Sequence, residues 1–172
     1  MMNTHTIFNP VMIRNVCSKT YLDMFMHLIP SIELWEDEEQ IAEEDYDKIN
    51  LTKLNLIEHG HYKNPVLAGI AIGLMSQIYD AGGKDYFIPE IHFCGISVKD
   101  KTTKVNLHTD NWDEKKLKVL GILNSDWDNR QDGGGFIYED MSYSLQPMNF
   151  LIFDSRQTHS NDIIFSDKER IA

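Results

Sequence analysis

Hydrophobic side chains in the first 80 residues recur every three to four positions, which is the spacing of amphipathic helices. The pattern predicts a first helix over KTYLDMFMHLI, with Ser18 as its N-cap and Pro30 beyond its end. A second helix is predicted to begin at Ser31 and to cover IELWEDEEQIAEEDYDKI. A third follows Asn64 and runs over PVLAGIAIGLMSQIYDA to a pair of glycines. Because this third helix is apolar on most sides, we expect it to pack against a sheet.

The pattern changes after Gly83, where short runs of β-branched and aromatic residues alternate with turn-forming clusters. Strands are predicted over residues 91–98, 104–108, 117–124, 135–139, 149–153 and 161–165. Many short strands without helices between them indicate a sandwich or barrel rather than a parallel sheet. The length of 172 residues predicts a single domain, with a helical part at 1–83 packed on a β core at 84–172.

Composition and charge narrow the classes of function. The chain is 42% hydrophobic with a formal charge of −11, which is typical of a folded globular protein and disfavours binding to nucleic acid or anionic lipid. It has no apolar run that could span a bilayer and no signal-peptide pattern at its start, so the sequence predicts a cytoplasmic protein. Cys17 and Cys94 lie far apart without a CxxC motif, which argues against a disulfide framework.

An acidic segment lies between Glu33 and Asp47, with nine acidic residues and no basic one. The favoured interpretation is a solvated helical face. The alternative is a docking site for a basic partner, in which case the chain would be a protein-interaction domain.

The first candidate for chemistry is His108 with Asp110, at the end of a predicted strand and before a polar loop. Side chains two positions apart in a strand lie on the same side, so this pair can occupy two adjacent positions around a metal ion. The motif alone is weak, because the composition predicts about one such triplet by chance. A similar pattern at His59-Gly60-His61 lies in a turn context and is interpreted as a surface loop.

Two later residues strengthen this candidate. His159 follows the predicted strand NFLIF and a turn, and a second histidine from a distant strand would complete a facial triad. Arg170 lies 11 residues further on, after another predicted strand. Its guanidinium could face the same interior and bind a carboxylate through two parallel hydrogen bonds.

The order of these residues resembles the iron(II)- and 2-oxoglutarate-dependent dioxygenases, and within them the prolyl 4-hydroxylase-like branch. The resemblance covers about residues 88–172. It includes LGILNSDWDNRQDGGGFIYE, PMNFLIFDSRQTHS and the KERIA segment of the last strand. It implies a mainly β chain with N-terminal helices, in which a double-stranded β-helix, or jelly-roll barrel, has the helices packed outside.

Carried over from the family, the resemblance implies that His108, Asp110 and His159 bind iron(II) and that Arg170 pairs with the distal carboxylate of 2-oxoglutarate. The implied reaction converts 2-oxoglutarate to succinate and CO2 and hydroxylates a C–H bond, with ascorbate as a candidate stimulant. The implied substrate is a prolyl or other residue of a protein or peptide, with small molecules as the alternative. The same donor set also suits manganese, cobalt, nickel or zinc.

The sequence also departs from the family. The strands on either side of His-x-Asp read IHFCGISV and LKVLGILN, without the tyrosines expected near the cosubstrate, and Gly121 stands where one is expected. His92 and Asn106 are candidate substitutes, and Lys168 is the alternative to Arg170.

Two further features bear on the function. The chain ends two residues after Arg170, which predicts a missing tail or a sheet closed by another segment. The lysines at 99, 101 and 104 are interpreted as a solvated hairpin, with a substrate lid as the alternative. The missing tyrosines and the short end support a second hypothesis, a jelly-roll module that binds a metal or ligand without turnover.

Overall fold

The computed structural model describes residues 8–29, 36–40, 49–103, 105–110 and 117–172. The strands are β1 (Val11–Ile13), β2 (Glu36–Gln40), β3 (Ile49–Glu58), β4 (His61–Tyr62), β5 (Phe93–Lys99), β6 (Leu117–Gly121), β7 (Phe136–Tyr138), β8 (Met141–Tyr143), β9 (Phe150–Asp154), β10 (His159–Asn161) and β11 (Arg170–Ile171). The helices are α1 (Lys19–Leu28), α2 (Pro65–Asp80) and the single turn α3 (Asn129–Asp132), and a 3-10 turn covers Gly83–Asp85.

The strands form three antiparallel sheets. The largest has the order β11-β5-β3-β2, with β4 also paired to β3. The second has the order β1-β9-β6, and the third has the order β10-β7-β8. Neighbours in a sheet are often far apart in the chain, because β1 pairs with β9 and β5 pairs with β11. The predicted mainly β architecture is confirmed, and no described helix has the length and apolar character needed to cross a membrane.

Strand β9 lies between two apolar clusters and contributes side chains to both of them. Phe150 and Ile152 belong to one cluster, whereas Leu151 and Phe153 belong to the other, as expected for alternating sides of a strand. The first, the helix-side core, contains Leu22 and Phe25 of α1, Leu67, Leu74 and Ile78 of α2, and Leu54, Leu56, Ile96, Phe150 and Ile152 of the strands. The second, the interior core, contains Ile122, Trp127, Phe136, Tyr138, Leu145, Leu151, Phe153 and Ile164.

The two predicted helices that border the barrel have the caps expected from sequence. The Ser18 hydroxyl accepts a hydrogen bond from the Tyr21 amide at 3.2 Å, which satisfies a free donor at the start of α1. The Asn64 side chain accepts one from the Leu67 amide at 3.0 Å, and Pro65 is the first residue of α2. Both helices therefore begin where their sequences predict, and they pack on one face of the sheets.

The expectation that residues 1–83 are mainly helical is wrong, because strands β1 to β4 lie in this part of the chain. The helix predicted from Ser31 is replaced at 36–40 by β2, while 30–35 and 41–48, with most of the acidic segment, lie outside the described residues. In β3, Leu54 and Leu56 are 3% and 0% exposed with a half-buried residue between them. That alternation is a strand period, and pairing with both β2 and β5 stabilises it over any local helical preference.

Several predicted strands differ from the observed ones. In place of the predicted strands at 104–108 and 161–165, the described residues 105–108 and 162–165 form single bridges, His108 with His159 and Gly133 with Ile164, while residue 104 lies outside the described ranges and Asn161 belongs to β10. The strand at 159–161 was not predicted, because its sequence His-Ser-Asn is polar although two of its three residues are buried. Strand β8 was also not predicted; it forms a hairpin with β7.

Gly121 offers a stability test of this packing. It is paired with Phe150 across β6 and β9, and a Cβ at position 121 would clash with the edge of the Phe150 ring. We expect Gly121→Ala to lower the free energy of unfolding by about 1–3 kcal/mol, as overpacked cores do. The matched control is Gly69→Ala, because Gly69 lies in α2 with nothing within 4 Å of an added Cβ.

For the control variant Gly69→Ala, helix propensity predicts that the free energy of unfolding rises by up to about 1 kcal/mol. Urea unfolding of both variants measures the difference. Equal stability of the two alanine variants would contradict the position of the Phe150 ring over Gly121.

Candidate metal centre

Backbone pairing brings the two candidate histidines together. The His108 amide donates to the His159 carbonyl at 3.0 Å, and the His159 amide donates to the His108 carbonyl at 2.8 Å. Residues paired in this way across antiparallel segments have their side chains on the same side, and the two ring centroids are 4.5 Å apart. Asp110 lies two residues after His108, and a hydrogen bond from its amide to the Ser155 carbonyl, 2.9 Å long, holds its backbone in place.

The three side chains converge on one point. Nε2 of His108 lies 4.0 Å from one carboxylate oxygen of Asp110, and Nε2 of His159 lies 3.8 Å from the other. One ligand atom from each residue can be chosen so that all three lie within 4.8 Å of one another. The structure thus brings together side chains that are up to 51 positions apart in the chain.

Hydrogen bonds fix which nitrogen each imidazole presents. Nδ1 of His108 lies 2.8 Å from the Asn106 carbonyl, and Nδ1 of His159 lies 2.8 Å from the Gln157 carbonyl. A carbonyl can only accept, so each Nδ1 carries the hydrogen and a neutral ring has its lone pair on Nε2. Burial also lowers the pKa of His159, which favours the neutral ring that can bind a metal.

One side of the site is closed and the other is open. His159 is 5% exposed and its ring packs at 5.8 Å from Phe136 and 5.2 Å from Phe153, measured between centroids. The side chain of His108 is 43% exposed and that of Asp110 is 18% exposed. These residues would hold a metal ion in a site that stays accessible on the side of His108, as catalytic centres require.

The turn before His159 is braced by an ion pair. The Arg156 guanidinium donates to the buried Asp154 carboxylate through Nε at 3.1 Å and Nη2 at 2.8 Å. The Gln157 amide donates to the Asp154 carbonyl at 3.1 Å. Because the Gln157 carbonyl orients the His159 ring, Arg156 and Asp154 act on the centre through the turn.

The donor set fits a divalent cation. Two neutral imidazoles and one carboxylate are the ligands of facial-triad iron(II) centres. Within the described part of the chain, Oδ2 of Asp110 is buried and accepts no hydrogen bond of ordinary geometry. Its one close charge is the Lys118 ammonium, with which it forms an ion pair.

Arg170 lies in the same interior and is 1% exposed. Its Nη1 donates to the Gly134 carbonyl, and its Nη2 donates to the Asn161 side-chain oxygen at 2.7 Å. Its Nε is buried with no partner among the described residues. Burial lowers the pKa of Arg170 to about 10, so the guanidinium stays charged near neutral pH. A buried cation with a free donor fits an anionic ligand such as the distal carboxylate of 2-oxoglutarate.

The alternative residues lie elsewhere. Lys168 is half exposed and pairs with the buried carboxylate of Asp132 at 3.2 Å. His92 is exposed and 3.9 Å from Glu90. Both histidines of His59-Gly60-His61 are exposed: His59 lies in the turn after β3, and His61 begins β4.

Sequence reasoning missed two lysines. Lys99 is not part of a solvated hairpin: it ends β5, is partly buried and is paired directly with Arg170. Lys118 in β6 contacts the candidate metal ligand Asp110. Lys101, in contrast, is exposed and pairs with Asp167, as expected of a solvated hairpin.

No family model matches the sequence, and no curated protein matches it. The structure is similar to an oxidoreductase of the 2OG-Fe(II) oxygenase family from Burkholderia pseudomallei, with a TM-score of 0.71, 14% identity, and coverage of 94% of this chain and 81% of that one.

Two prolyl hydroxylases are also similar. A Pseudomonas putida prolyl-4-hydroxylase has a TM-score of 0.64 and 12% identity, with 94% of this chain and 88% of that one covered. The second is a Trichoplax adhaerens prolyl hydroxylase in complex with a hypoxia inducible factor oxygen degradation domain peptide fragment. It has a TM-score of 0.63 and 14% identity, and the similarity covers 94% of this chain and 80% of that one. The predicted fold class is confirmed, and the chain has the double-stranded β-helix fold of the 2-oxoglutarate-iron(II) oxygenases.

Proposed function

We propose that this chain is an iron(II)- and 2-oxoglutarate-dependent dioxygenase that hydroxylates a C–H bond. The observation that carries the proposal is the arrangement of His108, Asp110 and His159, whose ligand atoms converge in a site that is closed on one side and open on the other. The fold adds support, because it is shared with oxygenases that use this chemistry. A buried guanidinium, Arg170, adds a group that suits a dicarboxylate cosubstrate.

In this proposal, His108 and His159 bind iron(II) through Nε2, and Asp110 binds it through its carboxylate. When bound, iron(II) and 2-oxoglutarate supply the oxidising chemistry, in which O2 gives one oxygen atom to succinate and one to the substrate while CO2 is released. The chain's own tasks are to hold the ligands, to fix the cosubstrate with Arg170, and to exclude water on the side of Phe136 and Phe153.

The proposed substrate is a residue of a protein or peptide, with proline as the first candidate. The Pseudomonas putida and Trichoplax proteins support this choice, since one is a prolyl-4-hydroxylase and the other is bound to a peptide fragment. The exposed side of His108 leaves room for a substrate to approach from the surface. A small molecule is the alternative, because a shared fold does not fix the substrate.

The proposal is tested by mass spectrometry of candidate peptides and small molecules. The protein is supplied with iron(II), ascorbate and O2, with and without 2-oxoglutarate. We expect a mass gain of about 16 Da, one oxygen atom, that requires 2-oxoglutarate and is matched by succinate formation. Metal and 2-oxoglutarate binding without succinate in any substrate pool would favour the non-catalytic module instead.

A further inference from the structure

Two cations face each other across the last strand pair. Lys99 of β5 and Arg170 of β11 are direct partners in antiparallel pairing, so their side chains lie on the same side of the sheet. Ile96 and Ile171 of the same strands contribute to the helix-side core, which places them on the other side. By alternation, Lys99 and Arg170 face the interior that contains the candidate metal centre.

A third cation reaches this interior from β6. Leu117 and Val119 pack on the helix-side core, so Lys118 between them faces the opposite way. Its contact with Asp110 shows that it reaches the candidate centre. We call Lys99, Lys118 and Arg170 the interior cation cluster.

The cluster has too few anions around it. Lys118 is matched by Asp110, whereas Arg170 donates only to neutral oxygens, those of Gly134 and Asn161. Lys99 makes no hydrogen bond and no ion pair with any residue in the described ranges. A poorly solvated cation without a counter-ion is costly, and two of them side by side cost more. The interior therefore suits an anionic ligand that would lie between Lys99 and Arg170.

The electrostatics of Lys99 agree with this geometry. Burial and the positive charges of Arg170 and Lys118 lower the pKa of Lys99 to about 7. Among the described residues of the neighbouring strands, the charged groups that act on it are those two cations. An anion placed between Lys99 and Arg170 would reverse this effect and stabilise the ammonium form.

We propose that Lys99 and Arg170 together bind the distal carboxylate of 2-oxoglutarate, and that Lys99 is a specificity residue for a dicarboxylate. The inference rests on the proposed function and adds a binding residue from β5. The guanidinium offers its free Nε and remaining hydrogens in a fixed plane, while the ammonium is a point charge that binds the other carboxylate oxygen. Lys118 stays with Asp110 in this arrangement.

The test is the dissociation constant of 2-oxoglutarate for the full chain loaded with Mn(II), measured by titration calorimetry at pH 7. Lys99→Met keeps the length of the side chain and removes the charge. We expect it to weaken 2-oxoglutarate binding about 10- to 100-fold, the usual effect of losing a charge-assisted hydrogen bond. Lys101→Met is the matched control, since Lys101 is exposed and pairs with Asp167. This variant should bind 2-oxoglutarate with the affinity of the wild type.

The outcomes separate the two proposals. If the wild type binds 2-oxoglutarate and Lys99→Met binds it within about twofold as well, the role of Lys99 is overturned while the proposed function stands. If the wild type binds Mn(II) but not 2-oxoglutarate, the proposed function fails as well. Unchanged Mn(II) affinity of Lys99→Met shows that the variant is folded with an intact metal centre.

A second measurement uses the unmodified protein. At pH 8 Lys99 is mostly neutral before binding, so a bound carboxylate that raises its pKa should cause uptake of about one proton, whereas at pH 6 uptake should be near zero. Calorimetry in two buffers of different ionisation enthalpy measures this uptake. Uptake of the same size at pH 8 in Lys99→Met would overturn the assignment.

Discussion

Asp110→Ala is expected to lower the affinity for Mn(II) or iron(II) by about 100-fold or more, because loss of even a residue that only orients a metal ligand costs 10- to 100-fold. Asp110 is the sole anionic donor of the described centre, and two neutral imidazoles alone bind a divalent ion weakly. The fold should survive, because Asp110 lies at the edge of the interior and its partner Lys118, with a side chain 42% exposed, can turn to water.

The matched control is Asp126→Ala. The Asp126 side chain is 71% exposed and pairs with Lys168 on the outside of the barrel, so metal affinity should not change. Metal content after dialysis and the melting temperature of both variants are the readouts. Full metal content in Asp110→Ala, or its global unfolding, would contradict the assignment of this residue.

Arg170→Met is expected to have a different effect: metal binding persists while the affinity for 2-oxoglutarate falls about 10- to 100-fold, through loss of a charge-assisted hydrogen bond. It should also lower the free energy of unfolding by about 1–3 kcal/mol, because the Gly134 carbonyl and the Asn161 side chain each lose a buried donor. Calorimetric titration of the Mn(II)-loaded protein and urea unfolding measure the two effects.

Arg130→Met is the control for this variant, since Arg130 is exposed on α3. It should change neither the 2-oxoglutarate affinity nor the stability. Normal 2-oxoglutarate affinity in Arg170→Met would show that Arg170 is a purely structural cation, held by Gly134 and Asn161.

Local signals were enough to predict parts of this fold. Ser18 and Asn64 each combine a capping side chain with a following apolar stripe, and both helices begin there. The long strand β3 is absent from the predicted elements, although Leu54 and Leu56 alternate with the polar Asn55 in the period of a strand; the alternation is short, and pairing with both β2 and β5 stabilises the strand.

The candidate centre was accessible from sequence only in part. Period-two alternation placed His108 and Asp110 on one side, but their meeting with His159 depends on a backbone bridge across 51 positions. A signal for Lys118 was present, because it alternates with Leu117 and Val119 in a predicted strand. The partnership of Lys99 with Arg170 depends on the register of β5 and β11, which no local pattern specifies.

The position of Gly121 has a similar origin. The sequence resemblance implies a cosubstrate tyrosine at this position, but Gly121 alternates in step with Leu117 and Val119 and therefore faces the helix-side core, where the Phe150 ring lies against it. A side chain at position 121 would thus point away from the candidate metal centre, because residues of odd number in β6 lie on the helix side.

The central claim is that one metal ion binds between His108, Asp110 and His159 with a dicarboxylate beside it. The most direct measurement is anomalous X-ray scattering from crystals of the chain grown with Mn(II) and 2-oxoglutarate. The account predicts a single strong peak within about 2.0–2.2 Å of Nε2 of both histidines and of the Asp110 carboxylate, by analogy with other metal sites, with the distal carboxylate against Arg170. A Mn(II) peak at any other group of side chains, with these three left without metal, would contradict it.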